Sequence, residues 1–233
     1  MRRWRKQLLH RSTWSDLATF KRSLEGERFD AIIDTQGLIK SAVLAATARG
    51  RRHGYDKSSA REPLASRFYD ERHHVSRSLH AVERNRELAA RSLGYRVPDG
   101  VRYGLRLDRR ETNNDFIVFH ASSQARKLWP VESWISLARE VERQGMRVVL
   151  PWGSEEERLR STRIASAINH AHVPNALSLG EIARLIVASR AVAGVDTGLV
   201  HLAAAMEVPV AAIYCATDPS LTGVYGATRT RNL

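Results

Sequence analysis

The chain has 233 residues, 43% of them hydrophobic, enough for one large packed domain or two small ones. Its single cysteine, Cys215, excludes an internal disulfide framework and a cysteine-based zinc cluster. With 37 Lys and Arg against 25 Asp and Glu, the formal net charge of +12 favours anionic partners: nucleic acid, acidic lipid head groups or phosphorylated substrates.

The basic residues are spread along the chain rather than gathered in one block, which also fits a merely solvated basic surface. No apolar run approaches the roughly 18 residues of a spanning helix. The start MRRWRKQLLHRSTW has the basic flank of a signal peptide without its apolar middle. These features predict a cytoplasmic protein.

In chain order, the first half reads as a basic amphipathic helix to about Gly26, one clear strand in FDAIIDTQG, then helical LIKSAVLAATARG, REPLASRFY and HAVERNRELAARSLG. A lone parallel strand has no partner within such a segment. The reading is therefore a domain that lacks its beginning. YRVPDG (95–100) has the composition of a linker, so the predicted domains are 1–99 and 100–233.

From Asp115 the pattern becomes regular. Apolar DFIVFHASS, helical PVESWISLAREVERQG, apolar MRVVLPWG and helical SEEERLRSTRIASAI come first. Helical SLGEIARLIVASR, apolar AVAGVDTG, helical LVHLAAAMEV and apolar PVAAIYCATDP follow. Strands alternating with longer helices predict βαβ units on a parallel sheet. Pro130 suits a first helical position, Gly145 a C-terminal cap, and Glu155 to Glu157 the positive end of a helix. The end of the chain, TGVYGATRTRNL, follows a strand with no covering helix.

Ligands of open α/β sheets bind beyond the carboxyl ends of the strands. Here these exits are HASSQARK, PWGSEEE, VDTGLVH and CATDPS, all polar. Ser122, Ser123 and Lys127 suit phosphate oxygens, or a capped turn with a surface lysine. Asp196 suits sugar hydroxyls. Thr197, Gly198 and Leu199 can present backbone N–H groups, although Asp and Thr are also ordinary capping residues. His201 alone reads as a helix-face histidine. Glu155 suits a ribose diol, or simply a first-turn acid. No G-x-G-x-x-G or G-x-x-x-x-G-K-[ST] stretch is present, nor any H-E-x-x-H or Cys/His cluster, so neither a nucleotide cofactor nor a metal is expected.

In this order, HASSQARKLWP, LPWGSEEER, GVDTGLVHLAAA and YCATDPS resemble the ADP-heptose:lipopolysaccharide heptosyltransferases, glycosyltransferase family 9 of the GT-B class. FDAIIDTQGLIKSAVL, HGYDKSSAREPLASRFY and HAVERNRELAARSLGY are similar to the branch that adds the first heptose of the inner core. The resemblance implies an α/β fold of two Rossmann-like domains, the first truncated at its N-terminus and the second lacking its last helices. It implies an inverting enzyme moving L-glycero-D-manno-heptose from ADP-heptose to Kdo2-lipid A.

By motif match, Ser122, Ser123 and Lys127 would hold the diphosphate, where family members usually carry Thr-Thr before the lysine. Glu155 would hold the ribose, and Asp196, Thr197, Gly198, Leu199 and His201 the sugar and phosphates. The general-base aspartate of the family's opening loop has no counterpart before Arg2. Arg2, Arg3, Arg5, Lys40 and Arg61 would meet the acidic acceptor during peripheral contact with the cytoplasmic face of the inner membrane. The alternatives are an inactive sugar-nucleotide-binding fragment and a heptosyltransferase acting later in the core. Nucleic acid is not an expected partner, since no recognition motif appears.

Overall fold

Residues Arg28–Asp34 form the strand β1 that the sequence predicts, but this strand is not alone. The computed structural model describes residues 15, 19–20, 22–24, 26–105, 107, 112–227 and 229–233. It divides into two units, 1–97 and 98–233, with the break inside YRVPDG. Arg2, Arg3 and Arg5 lie outside the described residues.

In the first unit, β1 is followed by helix α1 (Ile39–Thr47), strand β2 (Arg49–Tyr55), a 3-10 segment (Pro63–Phe68), strand β3 (Glu71–His73) and helix α2 (Ala81–Leu93). The three strands form one parallel sheet in the order β1-β2-β3, with Asp34 opposite Gly54 and Tyr55 opposite His73. The expectation of a lone strand is thereby corrected. In β2, Arg49, Arg51, Arg52 and His53 hide the strand behind polar side chains. Two of these charges are answered from the β3 side, Arg51 by Glu71 and Arg52 by Asp70. The 3-10 segment replaces the helix predicted for REPLASRFY and delivers Tyr69 onto Gly54, where a Cβ would lie 2.3 Å from the ring. Only glycine admits that contact.

The second unit carries β4 (Asp115–Phe119), α3 (Val131–Arg143), β5 (Arg147–Val149), α4 (Glu155–Ala165), β6 (Ala171–His172) and α5 (Leu179–Ala188). It continues through β7 (Ala191–Val195), α6 (Gly198–Ala205), β8 (Val210–Ile213), α7 (Pro219–Thr222) and β9 (Thr230–Asn232). All strands pair in parallel in the order β6-β5-β4-β7-β8-β9. The order runs outward in both directions from the β4/β7 pair, which is the doubly wound Rossmann arrangement. The two-residue β6 was not legible in the sequence.

Side-chain alternation along the strands divides the core between the two faces. Ile117 and Phe119 join Ile182, Ile186, Val200 and Ala203 on one face. Val118, Val148 and Leu150 join Trp134, Ala138 and Ile164 on the other. Helix α3 buries Trp134, Ala138 and Val141, the spacing of one helical face. Pro130 is its N-cap rather than its first helical residue, and Gly145 follows its end at φ +77. Helix α5 opens with a reciprocal capping box between Ser178 and Glu181. At the crossing of α6 over β7, a Cβ on Gly194 would sit 2.6 Å from Val200 Cγ1 and 2.9 Å from Phe119 Cβ. This glycine sets how closely α6 approaches the exits of β4 and β7.

Candidate functional site

In a doubly wound sheet the crevice opens where the winding reverses, beyond the carboxyl ends of the two central strands. Here those strands are β4 and β7, and their exits are His120–Ser123 and Asp196–Gly198. The exits touch: Ser122 Oγ donates to the Asp196 carbonyl at 3.4 Å. After Ser123 the chain makes a 3-10 turn, Ala125–Lys127, that brings Lys127 back toward β7. Its Nζ donates to Asp196 Oδ2 at 2.5 Å, and both side chains are mostly buried.

Thr217, from the β8 exit, donates to the same oxygen at 2.7 Å. Burial is the largest single influence on Asp196 and raises its pKa. The bonds from Lys127 and Thr217, with the charges of Lys127 and His201, overcome it and hold the carboxyl below its ordinary value. The site therefore carries a fixed carboxylate, and neither bond uses its Oδ1.

Thr197 is the N-cap of α6 with extended backbone, yet its side chain makes no capping bond. Asp196 is occupied with Lys127 and Thr217. Neither behaves as an ordinary cap. The N–H groups of the first turn, Gly198 and Leu199, have no intrahelical acceptor and carry the positive end of the helix dipole. A Cβ built on Gly198 meets nothing within 4 Å, so the space in front of this turn is open.

Ser122, Ser123, Trp152, Gly153, Thr197 and Leu199 line one cavity of about 190 Å³. Its acid is Glu157, whose Oε2 accepts from Gly153 N at 2.7 Å. Ser122, Ser123 and Glu157 also line an adjoining recess. A larger cavity of about 590 Å³, between β6 and α5, gathers none of the strand-exit residues; chemistry rather than volume selects the site.

Most of the residues singled out in this unit therefore meet at the β4/β7 crevice: Ser122, Ser123, Lys127, Asp196, Thr197, Gly198 and Leu199, with His201 in the first turn of α6. Glu155 does not line the cavity. It is exposed at the start of α4 and bound by Nε and Nη2 of Arg158, which hold its carboxyl below the usual range. Glu157 stands where the acid was expected. The sequence places the acidic run EEE but not its phase, which depends on where Ser154 caps α4. Thr217 lies in the CATDPS exit, and its bond to Asp196 adds it to the site.

Lys40 and Arg61, in the first unit, are both exposed and flank the β1 exit. Glu62 joins their segments by accepting from Ile39 N at 2.7 Å, and Glu62 N donates to Gly37 O.

The profile of glycosyltransferase family 9 (heptosyltransferase) matches residues 17–233. This chain belongs to glycosyltransferase family 9. As a family 9 chain it is 40% identical over 233 residues to lipopolysaccharide heptosyltransferase 1 of Salmonella typhimurium strain LT2, covering 97% of this chain and 74% of that protein. It is 41% identical over 232 residues to the Pseudomonas aeruginosa protein of the same name, covering 97% and 65%. The structure of E. coli heptosyltransferase WaaC with ADP superposes with a TM-score of 0.87 at 38% identity, covering 99% of this chain and 74% of that one. The family 9 fold is the α/β, parallel-sheet GT-B type, and its members are heptose-transferring glycosyltransferases. No helix among the described residues is long and apolar enough to cross a membrane.

Proposed function

We propose that the protein is an inverting heptosyltransferase of lipopolysaccharide inner-core synthesis, moving L-glycero-D-manno-heptose from ADP-heptose to the 3-deoxy-D-manno-oct-2-ulosonic acid of Kdo2-lipid A. The observation that carries this reading is the Lys127–Asp196 pair at the switch point, beside the open first turn of α6. A sugar diphosphate presents two kinds of group, hydroxyls and an anionic bridge, and this site offers both a carboxylate and cations. WaaC, 38% identical, was solved with ADP.

In this reading the diphosphate lies between the Ser122–Ser123 hydroxyls, Lys127 and the N–H groups of Gly198 and Leu199. Asp196, through Oδ1, accepts from a sugar hydroxyl, with His201 on the same turn. Glu157, rather than Glu155, faces the ribose diol. Transfer with inversion needs the acceptor hydroxyl to attack the anomeric carbon opposite the departing diphosphate and to lose its proton as the glycosidic bond to phosphate breaks. Negative charge then grows on the leaving ADP. Lys127 and the α6 N-terminus are fixed in advance where that charge develops, which is how a preorganised site lowers a barrier. On the acceptor side, Lys40 and Arg61, with Arg2, Arg3 and Arg5, complement the carboxylates and phosphates of a membrane-anchored substrate and place the protein at the cytoplasmic face of the inner membrane.

Calorimetric titration with ADP and with UDP, followed by a transfer assay on Kdo2-lipid A with and without a first heptose, tests this. We expect ADP to bind in preference to UDP and heptose to be added to the heptose-free acceptor. Preference for the acceptor already bearing a heptose points instead to a later step of core assembly. Absence of ADP binding overturns the donor-site reading.

A further inference from the structure

Directly before the Ser122–Ser123 loop stands a histidine that the transfer mechanism leaves without a part. His120 is fully buried at the exit of β4, and its Nε2 lies 2.7 Å from Ser161 Oγ on α4, itself fully buried. Burying two polar side chains is unfavourable unless they satisfy each other. An apolar pair would fill the same space between sheet and helix, so the choice of residues calls for a reason beyond packing.

The position of Ser161 supplies one. Glu157 and Ser161 are four residues apart on α4 and so occupy the same helix face, one turn from each other. Glu157 shares its cavity with Ser122 and Ser123, the residues that follow His120 by two and three positions. The His120–Ser161 bond thus joins the root of the phosphate loop to the helix turn behind the pocket acid. A second bond acts in the same sense, from Arg160 to the Trp129 carbonyl, tying α4 to the far end of the loop. The helix is pinned at both ends of the segment that carries Ser122, Ser123 and Lys127.

We propose that His120 and Ser161 are positioning residues of the donor site, a hydrogen-bonded pin that sets the distance between the phosphate loop and Glu157. The pair acts through Glu157 and touches no ligand itself. A hydrogen bond suits this task better than an apolar contact because it fixes direction as well as separation. The inference rests on the reading that ADP occupies this pocket.

A double-mutant cycle on ADP affinity, read by calorimetry, tests the pin. The variants are His120→Phe, His120→Gln, Ser161→Ala, Glu157→Gln and the double variant His120→Phe/Glu157→Gln, each checked for folding by circular dichroism. We expect His120→Phe to weaken ADP by up to about tenfold, the loss expected of Glu157→Gln. His120→Gln, whose amide nitrogen reaches about as far as Nε2, should stay within threefold of the unaltered protein. The double variant should bind no more weakly than Glu157→Gln alone.

A purely structural role would lower stability without this dependence on Glu157. The pin is overturned if His120→Phe binds ADP normally, or if its loss multiplies that of Glu157→Gln. Should His120→Phe fail to fold, Ser161→Ala carries the same cycle, with a loss of several-fold that vanishes in the Glu157→Gln background as the supporting result and an independent loss as the overturning one. If the unaltered protein binds no ADP, the donor-site reading falls and the pin with it.

Discussion

Lys127 Nζ and Asp196 Oδ2 are 2.5 Å apart although the residues come from the exits of different strands, β4 and β7. Each is mostly buried, so each charge depends on the other for a partner away from water. Lys127→Gln should weaken ADP binding by at least tenfold, about 1.4 kcal/mol, because the cation facing the diphosphate is gone. It should also lower stability, since Asp196 loses a partner. Thr217→Val removes a neutral bond to the same carboxylate oxygen and should cost about 1–3 kcal/mol of stability while leaving most ADP affinity intact. Calorimetry and urea unfolding on the two variants separate these effects. Equal losses of ADP affinity would mean that Lys127 serves the carboxylate rather than the ligand.

Gly198 offers a cleaner probe. A methyl group there meets no protein atom within 4 Å, and the residue opens a helix, where alanine is the better former. Gly198→Ala should therefore be neutral or slightly stabilising in the free protein. If the diphosphate approaches the first turn of α6 as proposed, the methyl group stands in its way and ADP affinity drops tenfold or more. Unchanged affinity would place the phosphates elsewhere.

Which residues gather at the candidate site is more legible in the sequence than parts of the framework. The VDTG turn, the serine pair and Lys127 could be read directly because each follows an apolar run that predicts a strand, and strand exits converge by topology. The pairing between them could not be read. That Thr217, and not Thr197, bonds Asp196 depends on the register of β7 and β8. In the first unit, β2 carries no apolar alternation; it sits between β1 and β3, with Tyr69 seated on Gly54. Arginines in strand positions signal nothing until their acidic partners, Asp70 and Glu71, are in place. Linkage between residues distant in sequence is what a pattern along the chain does not carry.

The two acids of α4 make opposite predictions. Glu155 is exposed and bridged to Arg158, a contact that solvent screening leaves weak. Glu157 lines the cavity and holds Gly153 N. Glu157→Gln should lower ADP affinity about tenfold, and Glu155→Gln should leave it within twofold. Titration with adenosine in place of ADP should show the same ranking, because the carboxylate is assigned to the ribose. The reverse ranking would restore the acid named from the motif.

Burial drives the His120 pKa down to about 4, from 6.5, with the nearby Arg160 charge acting in the same direction. In the unfolded chain the imidazole takes up a proton near pH 6.5, while in the fold it stays neutral until about pH 4. Between these values the unfolded state binds more protons, so stability must fall as the pH is lowered through this window. The full effect is roughly 3 kcal/mol if no other group compensates. Depressed carboxylates such as Asp56, held at about 2 with burial opposed by bonds from Ser59, Ser58 and His74, take effect at lower pH as they protonate. Urea unfolding at intervals from pH 7 to pH 4 should show the decline, and His120→Gln should flatten it. A decline of the same slope in the variant would assign it to other histidines and leave His120 protonated no differently in the two states.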